Sequence, residues 1–223
     1  MKLECSTDLK TLDPKCGDCK LCQAVSKDRY LFDEDLRRSQ KLVDALIKLV
    51  KDSTSFHCVQ PEQVKNPDIR VYNNKEELVC RIEAKMLEDK PFMRVHELLP
   101  GRDLYPKETI VVDLPKLKSY FERREEDKKE NGRDIPTFVV WRLGRPCAET
   151  GGITVFQECL KLKEIFQKKG KGRYFERKTG TGDFRGGQKL GVTKKYHYSV
   201  RECRPITELV DELKALEEAG SKT

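Results

Sequence analysis

The stretch from Pro67 to Leu87 constrains this chain more than any other. PDIRVY (67–72) and ELVCRIEAKML (77–87) are apolar-rich runs separated by Asn73 and Asn74, which tolerate positive φ and suit a hairpin turn. Successive side chains of a strand point to opposite faces. The second run sets Leu78, Cys80 and Ile82 against Val79, Arg81 and Glu83, so both faces hold apolar residues. A strand of that kind belongs in the centre of a sheet and is largely buried.

The flanking sequence supplies helices for such a sheet. LFDEDLRRSQKLVDALIKLVKD (31–52) places Leu36, Val43, Leu46, Ile47 and Val50 at helical spacing, an amphipathic helix with one buried stripe. Residues 88–108, with Pro91, Pro100 and Pro106, read as an irregular insertion, and TIVV (109–112) as a short apolar strand. Asp113 and Pro115 mark a helix start, and Asn131-Gly132 its end. IPTFVVWRL (135–143) is a buried strand. A helix is expected over Ile153 to Gln167, with Phe156, Leu160 and Ile165 inward. RYFERK and KYHYSVREC are strand-like runs joined by a glycine-rich loop, and Thr207 can cap a last helix. The fold class is α/β (α+β), a central mixed sheet flanked by helices. The expected organisation is a Cys-rich segment (1–27), a core (28–150) and a basic helix–hairpin–helix appendage (151–223).

The strand pair also gathers chemistry. The turn near Asn74 lies six residues after Asp68 and nine before Glu83, so the hairpin brings both acids near one end of the pair, with some offset. Glu83 and Lys85 are two apart and share a face. Mg²⁺ takes hard oxygen ligands, one or two carboxylates with phosphate oxygens and water. Asp68 and Glu83 supply carboxylates, and the Ala84 backbone carbonyl lies between Glu83 and Lys85. Such an ion activates water and offsets charge on a phosphate under attack. Lys85 is suited to orienting that water or stabilising developing negative charge.

In these residues the chain resembles the PD-(D/E)xK nuclease superfamily, which includes many restriction endonucleases. Pro67, Asp68, Glu83 and Lys85 match its signature, and the resemblance covers residues 31–143. It does not extend to the cysteine segment or the basic tail, and the insertion at 88–108 departs from a minimal core. It implies a restriction-endonuclease-like core and a DNA endonuclease dependent on Mg²⁺, with Mn²⁺ substituting. Asp68, Glu83 and Lys85 would be catalytic, and Glu34, near the start of the preceding helix, an outer metal ligand. Asp33 and Asp35 flank Glu34, and three acids at a helix N-terminus also simply favour the dipole. Cutting both strands of a duplex with one site per chain favours a homodimer.

Nine cysteines, four of them within the first 22 residues, favour a metal over disulfides in a reducing compartment. Cys5, Cys16, Cys19 and Cys22 suit structural zinc, with Cys58 or His57 as alternatives to Cys5. The C-x₂-C-x₂-C run also fits an iron–sulfur cluster. No stretch reaches the ~18 apolar residues of a membrane span, and the N-terminus lacks the apolar core of a signal peptide, so the chain reads as cytoplasmic.

Net charge is +7, unevenly placed. Residues 161–204 hold 14 Lys or Arg against 4 Asp or Glu, a local +10, which leaves −3 for the rest. That asymmetry points to a polyanion partner, here DNA. Arg173, Arg177, Lys178, Arg185, Lys189, Lys194 and Lys195 are its candidate phosphate contacts, and Phe184 is the aromatic placed to face a ligand. The competing reading is a non-catalytic zinc protein that binds nucleic acid through this basic tail.

Overall fold

The computed structural model describes residues 1–15, 21, 32–61, 67–87, 91–180, 183–189 and 191–220. Its first long element is α1 (Phe32–Ser53). The buried stripe of α1 runs through Leu42, Val43, Leu46 and Val50, while Leu36 is half exposed, one turn beyond the sheet it covers. Strands β1 (His57–Val59), β2 (Ile69–Tyr72) and β3 (Leu78–Leu87) follow. The turn between β2 and β3 is built by Asn73, whose side-chain carbonyl accepts the Lys75 and Glu77 N–H groups at 3.0 and 2.9 Å. Positive φ falls on Glu76 (58°) rather than on an asparagine.

A short helix α2 (Val95–Leu98) leads to β4 (Thr109–Asp113), α3 (Leu114–Asn131) and β5 (Thr137–Leu143). Gly132 ends α3 at φ 64°, in the left-handed conformation expected of a helix-terminating glycine. Next, β6 (Thr154–Glu158) and α4 (Cys159–Lys169) divide the segment expected to be one helix. Thr154, Val155 and Phe156 are buried in the sheet, so pairing with β5 overrides the helical pattern there. Glu158 then caps α4 by accepting the Leu160 N–H at 3.1 Å. Phe156 is inward on a strand, and Leu160 is exposed on the helix.

The remaining elements are β7 (Tyr174–Glu176), β8 (Phe184–Arg185), β9 (Gln188–Lys189), β10 (Lys194–Ser199), β11 (Arg204–Pro205) and α5 (Thr207–Gly220). The main sheet has the order β1-β2-β3-β5-β6-β11. It is mixed: β3 and β5 are parallel, joined across α3, and the other neighbours are antiparallel. Residues 151–223, expected as an appendage, give this sheet β6 and β11.

Alternation along β3 sorts the two cores. Cys80, Ile82, Ala84 and Met86 pack with α1 and with Leu209 and Leu213 of α5. On the opposite face, Val139 and Trp141 of β5 pack with Leu117 and Tyr120 of α3 and Leu162 of α4. The second sheet, β4-β10-β7, joins that core through Tyr196 and Tyr198. Tyr198 is fully buried, and its hydroxyl donates to the Leu162 carbonyl at 3.2 Å. Leu9 and Leu12 enter the same core, and the Thr154 N–H donates to the Glu4 carbonyl at 2.6 Å. Among the described residues, no helix is long and apolar enough to cross a membrane.

Candidate active site

A register shift makes the site. Tyr72 pairs with Leu78, but Val71 pairs with Cys80, so an extra residue is accommodated between them. Beyond this bulge Ile69 pairs with Ile82, which sets Asp68, one residue past the strand end, opposite Glu83. Without it, Asp68 would stand opposite Ile82 on the other face, because a one-residue slip inverts every side chain.

The Asp68 carboxylate accepts the Ala84 N–H at 2.8 Å. In a strand, the N–H and C=O of one residue leave by the same edge, so the Ala84 carbonyl also faces the Asp68 side. Glu83 is fully buried. One of its oxygens, Oε1, meets Lys85 Nζ at 2.7 Å and Lys116 Nζ at 3.4 Å. The other, Oε2, is buried with no hydrogen-bond partner among the described residues, and so is the Tyr120 hydroxyl. That hydroxyl lies near enough to favour the charged carboxylate, but short of a well-formed hydrogen bond.

Asp113 closes the group. It stands 3.8 Å from Lys85 Nζ and pairs directly with Lys195. Sequence reasoning read Asp113 only as a helix start. It does precede α3, but its side chain caps no N–H, because its carboxylate is engaged by these lysines.

Ionisation differs sharply among these acids. Burial pushes the Asp68 carboxyl up to about 6, and the neighbouring Glu83 charge adds to the shift. Burial also opposes ionisation of Glu83, but Lys85 and Lys116 outweigh it and hold its pKa below the usual value. Lys85 is held well above the ordinary lysine value: burial works against its charge, and Glu83 and Asp113 overcome it. Lys85 is therefore a fixed ammonium, able to stabilise negative charge or donate a hydrogen bond, and not a base.

No family model and no curated protein matches this chain. Among solved structures it is similar to Hjc, a Holliday junction resolvase from the archaeal hyperthermophile Archaeoglobus fulgidus. That likeness has 11% identity and a TM-score of 0.39, over 78% of this chain and 95% of Hjc. It is also similar to D212, a nuclease from a fusselovirus. There the identity is 14% and the TM-score 0.44, over 87% of this chain and 98% of D212.

The donor set suits a hard divalent cation. It offers a buried, unpartnered carboxylate oxygen on Glu83, the Asp68 carboxylate beside it and a main-chain carbonyl at the same edge. No group of three or more His, Cys, Asp or Glu side chains is placed to hold a metal among the described residues, so the carboxylates here number two. Glu34 ion-pairs on its own helix, 3.9 Å from Arg37 and 3.7 Å from Arg38.

Of the four N-terminal cysteines, Cys16, Cys19 and Cys22 lie outside the described residues. Cys5 is half-buried, with its thiol 3.5 Å from the Thr7 carbonyl. Cys58 is half-buried in β1, and His57 stacks on Tyr72.

The basic segment divides by function of place. Arg173 is 3% exposed, bonded to Glu202 at 2.6 Å and to Asp103 at 3.0 Å. It is turned inward to tie its own turn to Asp103 of the insertion and to Glu202, and so drops out of the solvent-facing set. Arg177 grips buried Asp183. Lys195 reaches the site through Asp113, and Lys178, Lys189 and Lys194 are exposed. Phe184 is 47% exposed. The side chain of Arg185 lies outside what is described.

Lys116 and Asp113 are the site residues that the sequence pattern did not single out. Their signal was faint: a lysine one residue past the Pro115 helix start, and an acid at the end of the short strand before that helix. A groove of about 370 Å³ lies at the other end of β2 and β3, among Arg70, Tyr72, Arg81, Arg123, Asp127 and Arg133.

Proposed function

We propose that this chain is a divalent-metal-dependent nuclease that hydrolyses DNA phosphodiester bonds at Asp68, Glu83 and Lys85. The observation that carries the reading is Glu83 Oε2. It is a fully buried carboxylate oxygen with no hydrogen-bond partner among the described residues, the nearby Tyr120 hydroxyl falling short of one, and leaving such an acceptor unmade costs about 1–3 kcal/mol or more. Asp68 stands beside it with its proton affinity raised. A hard divalent cation would take such an oxygen.

Asp68 and Glu83, with the Ala84 carbonyl, are the residues that would hold Mg²⁺, or Mn²⁺ in its place. The bound ion supplies activation of water and neutralisation of phosphate charge. The chain's own residues do the rest. Lys85, kept charged by Glu83 and Asp113, donates toward the attacking water or the developing negative charge. Lys116, 32% exposed over Glu83, offers a second ammonium to a phosphate oxygen. Lys195, drawn in by Asp113, brings the basic ribbon β10 to the edge of the site.

The test is cleavage of supercoiled plasmid together with calorimetric titration of Mg²⁺ and Mn²⁺. Wild type cleaves with either ion and not in EDTA. Lys85→Ala lowers cleavage by about 10²–10³-fold, the usual cost of one charge-stabilising donor, while DNA affinity stays nearly intact. Glu83→Gln loses both cleavage and heat of ion binding. Cleavage that persists in EDTA, or a fully active Lys85→Ala, would falsify the assignment.

A further inference from the structure

The ribbon that carries Lys195 continues into a hairpin with a single outward aromatic. β7 and β10 pair through Glu176 and Lys194, and the ladder extends by the Arg177 N–H to the Thr193 carbonyl at 3.1 Å. β8 and β9 then pair Phe184 with Lys189 across a Gly186-Gly187 turn with φ of 54° and 79°. Both glycines adopt the left-handed conformation such tight turns require.

The base of this hairpin is fixed. Asp183 is fully buried. Its carboxylate takes Arg177 Nη1 and the Gly180 N–H at 2.8 and 2.7 Å, and its carbonyl takes the Gly191 N–H at 2.9 Å. A Cβ at Gly191 would lie 1.9 Å from the Asp183 carboxylate, so only glycine closes the turn.

Phe184 stands apart from the other aromatics of the ribbon. Tyr196 and Tyr198 are 1% and 0% exposed and anchor the ribbon to the core, and Phe175 packs on Phe92. Phe184 makes no ring contact among the described residues. It is the only exposed ring among the aromatic side chains that the structure describes, the other exposed large apolar side chains being aliphatic. Its cross-strand partner is a lysine, with Lys178 and Lys194 exposed on the same ribbon.

An aromatic face beside ammonium groups is the pairing that grips a nucleotide with its base unstacked: the ring takes the base and the lysines take the phosphates. We infer that Phe184 stacks on an unpaired base, so that the DNA cleaved at Asp68, Glu83 and Lys85 is single-stranded or forked beside the cut. The inference rests on the proposed nuclease reading, because β10 leads from this hairpin to Asp113 and Lys85.

Tryptophan at 184 makes the contact visible. Trp141 is the only native tryptophan and is fully buried, so new quenching reports on position 184. Phe184→Trp is placed in a Lys85→Ala background and titrated with oligo-dT, a blunt duplex and a splayed duplex of equal charge. Emission falls with oligo-dT and with the splayed duplex but not with the blunt one. Phe184→Ala weakens oligo-dT binding by about 5- to 150-fold, the range for one stacked base, and leaves blunt-duplex affinity unchanged.

Equal quenching by all three probes, or unchanged oligo-dT affinity in Phe184→Ala, overturns the inference, including where wild type cleaves plasmid normally. Selective quenching with a wild type that cleaves nothing leaves the stacking role standing and removes the nuclease reading instead.

Discussion

Two buried charge clusters lie one strand step apart on the same face of β3, and they are built to opposite ends. Around Arg81, both oxygens of the partner carboxylate are engaged, although Arg81 Nε has no partner among the described residues. Arg81 is 3% exposed and Asp127 of α3 is 0% exposed. The guanidinium makes two bonds to that carboxylate, one of 2.9 Å, and Arg123 adds a second guanidinium at 3.1 Å. Around Glu83, two lysines on flexible stems crowd one carboxylate oxygen while the other has no hydrogen-bond partner among the described residues. Planar, two-pronged arginine contacts fix geometry, whereas ammoniums on four-carbon stems can turn to another anion. The first cluster locks α3 onto the sheet. The second keeps a donor vacant at the point where α3 begins.

The largest effect expected from this contrast is on stability. Arg81→Ala leaves the Asp127 charge buried with Arg123 alone and should cost about 3–5 kcal/mol, the usual penalty for breaking one side of a buried pair. Glu83→Gln also breaks a buried pair, but Lys85 keeps Asp113 at 3.8 Å and Lys116 is part-exposed, so its cost should fall below that of Arg81→Ala while cleavage is abolished. Urea unfolding of both variants in EDTA decides this. Equal losses would erase the distinction between a structural and a functional cluster.

A smaller effect sharpens it at Asp68. The folded carboxyl titrates near 6, against an ordinary value of 3.8. Between those values the native state binds more protons than the unfolded chain, so metal-free stability falls as pH rises from about 4 to 6. Asp68→Asn removes that cost. It should stabilise the metal-free protein at pH 7.5 by about 1–3 kcal/mol, with the advantage gone below pH 4. The same titration makes protons compete with a cation, so Mg²⁺ affinity of wild type should weaken below about pH 6. Unfolding curves at pH 4 and 7.5 that differ by the same amount from wild type would show that burial does not burden Asp68.

How far this was legible in the sequence depends on the range of the interactions involved. β3 announced itself, because two apolar faces on one strand can only be satisfied at the centre of a covered sheet. Asp68 and Glu83 could be brought to the same end of the hairpin, but the bulge at Val71 and Tyr72 that puts them on one face leaves no local mark. Asp113 and Lys116 were hidden for another reason. They reach the site through the β4–β10 pairing and the α3 crossover, in contacts between residues 28 or more positions apart. The helix expected over Ile153–Gln167 failed where Thr154 to Phe156 found a partner strand. In the basic segment, composition counted every cation alike. Arg173 is spent inside the fold, Lys195 belongs to the site, and only burial separates them from Lys178, Lys189 and Lys194.

That separation sets the smallest and last expectation, on the salt dependence of binding. Counterion release makes log affinity fall with log salt at about 0.9 per phosphate contacted on duplex DNA. If all +10 of the segment met phosphate, the slope would be far steeper than the exposed lysines alone can give. Lys189 and Lys194 are exposed on the ribbon that leads from the site, so Lys189→Ala with Lys194→Ala should make the slope shallower by about one to two units. The loss should be alike for DNAs of different sequence, since phosphate contacts carry no base information. Arg173 predicts the reverse pattern. Its guanidinium is bonded to Asp103 and Glu202, so Arg173→Ala should lower the melting temperature, and below that temperature leave the slope where it was. An unchanged slope in the double lysine variant, measured by fluorescence anisotropy between 50 and 200 mM salt, would place the DNA on a different face and leave the ribbon's charge as a matter of solubility.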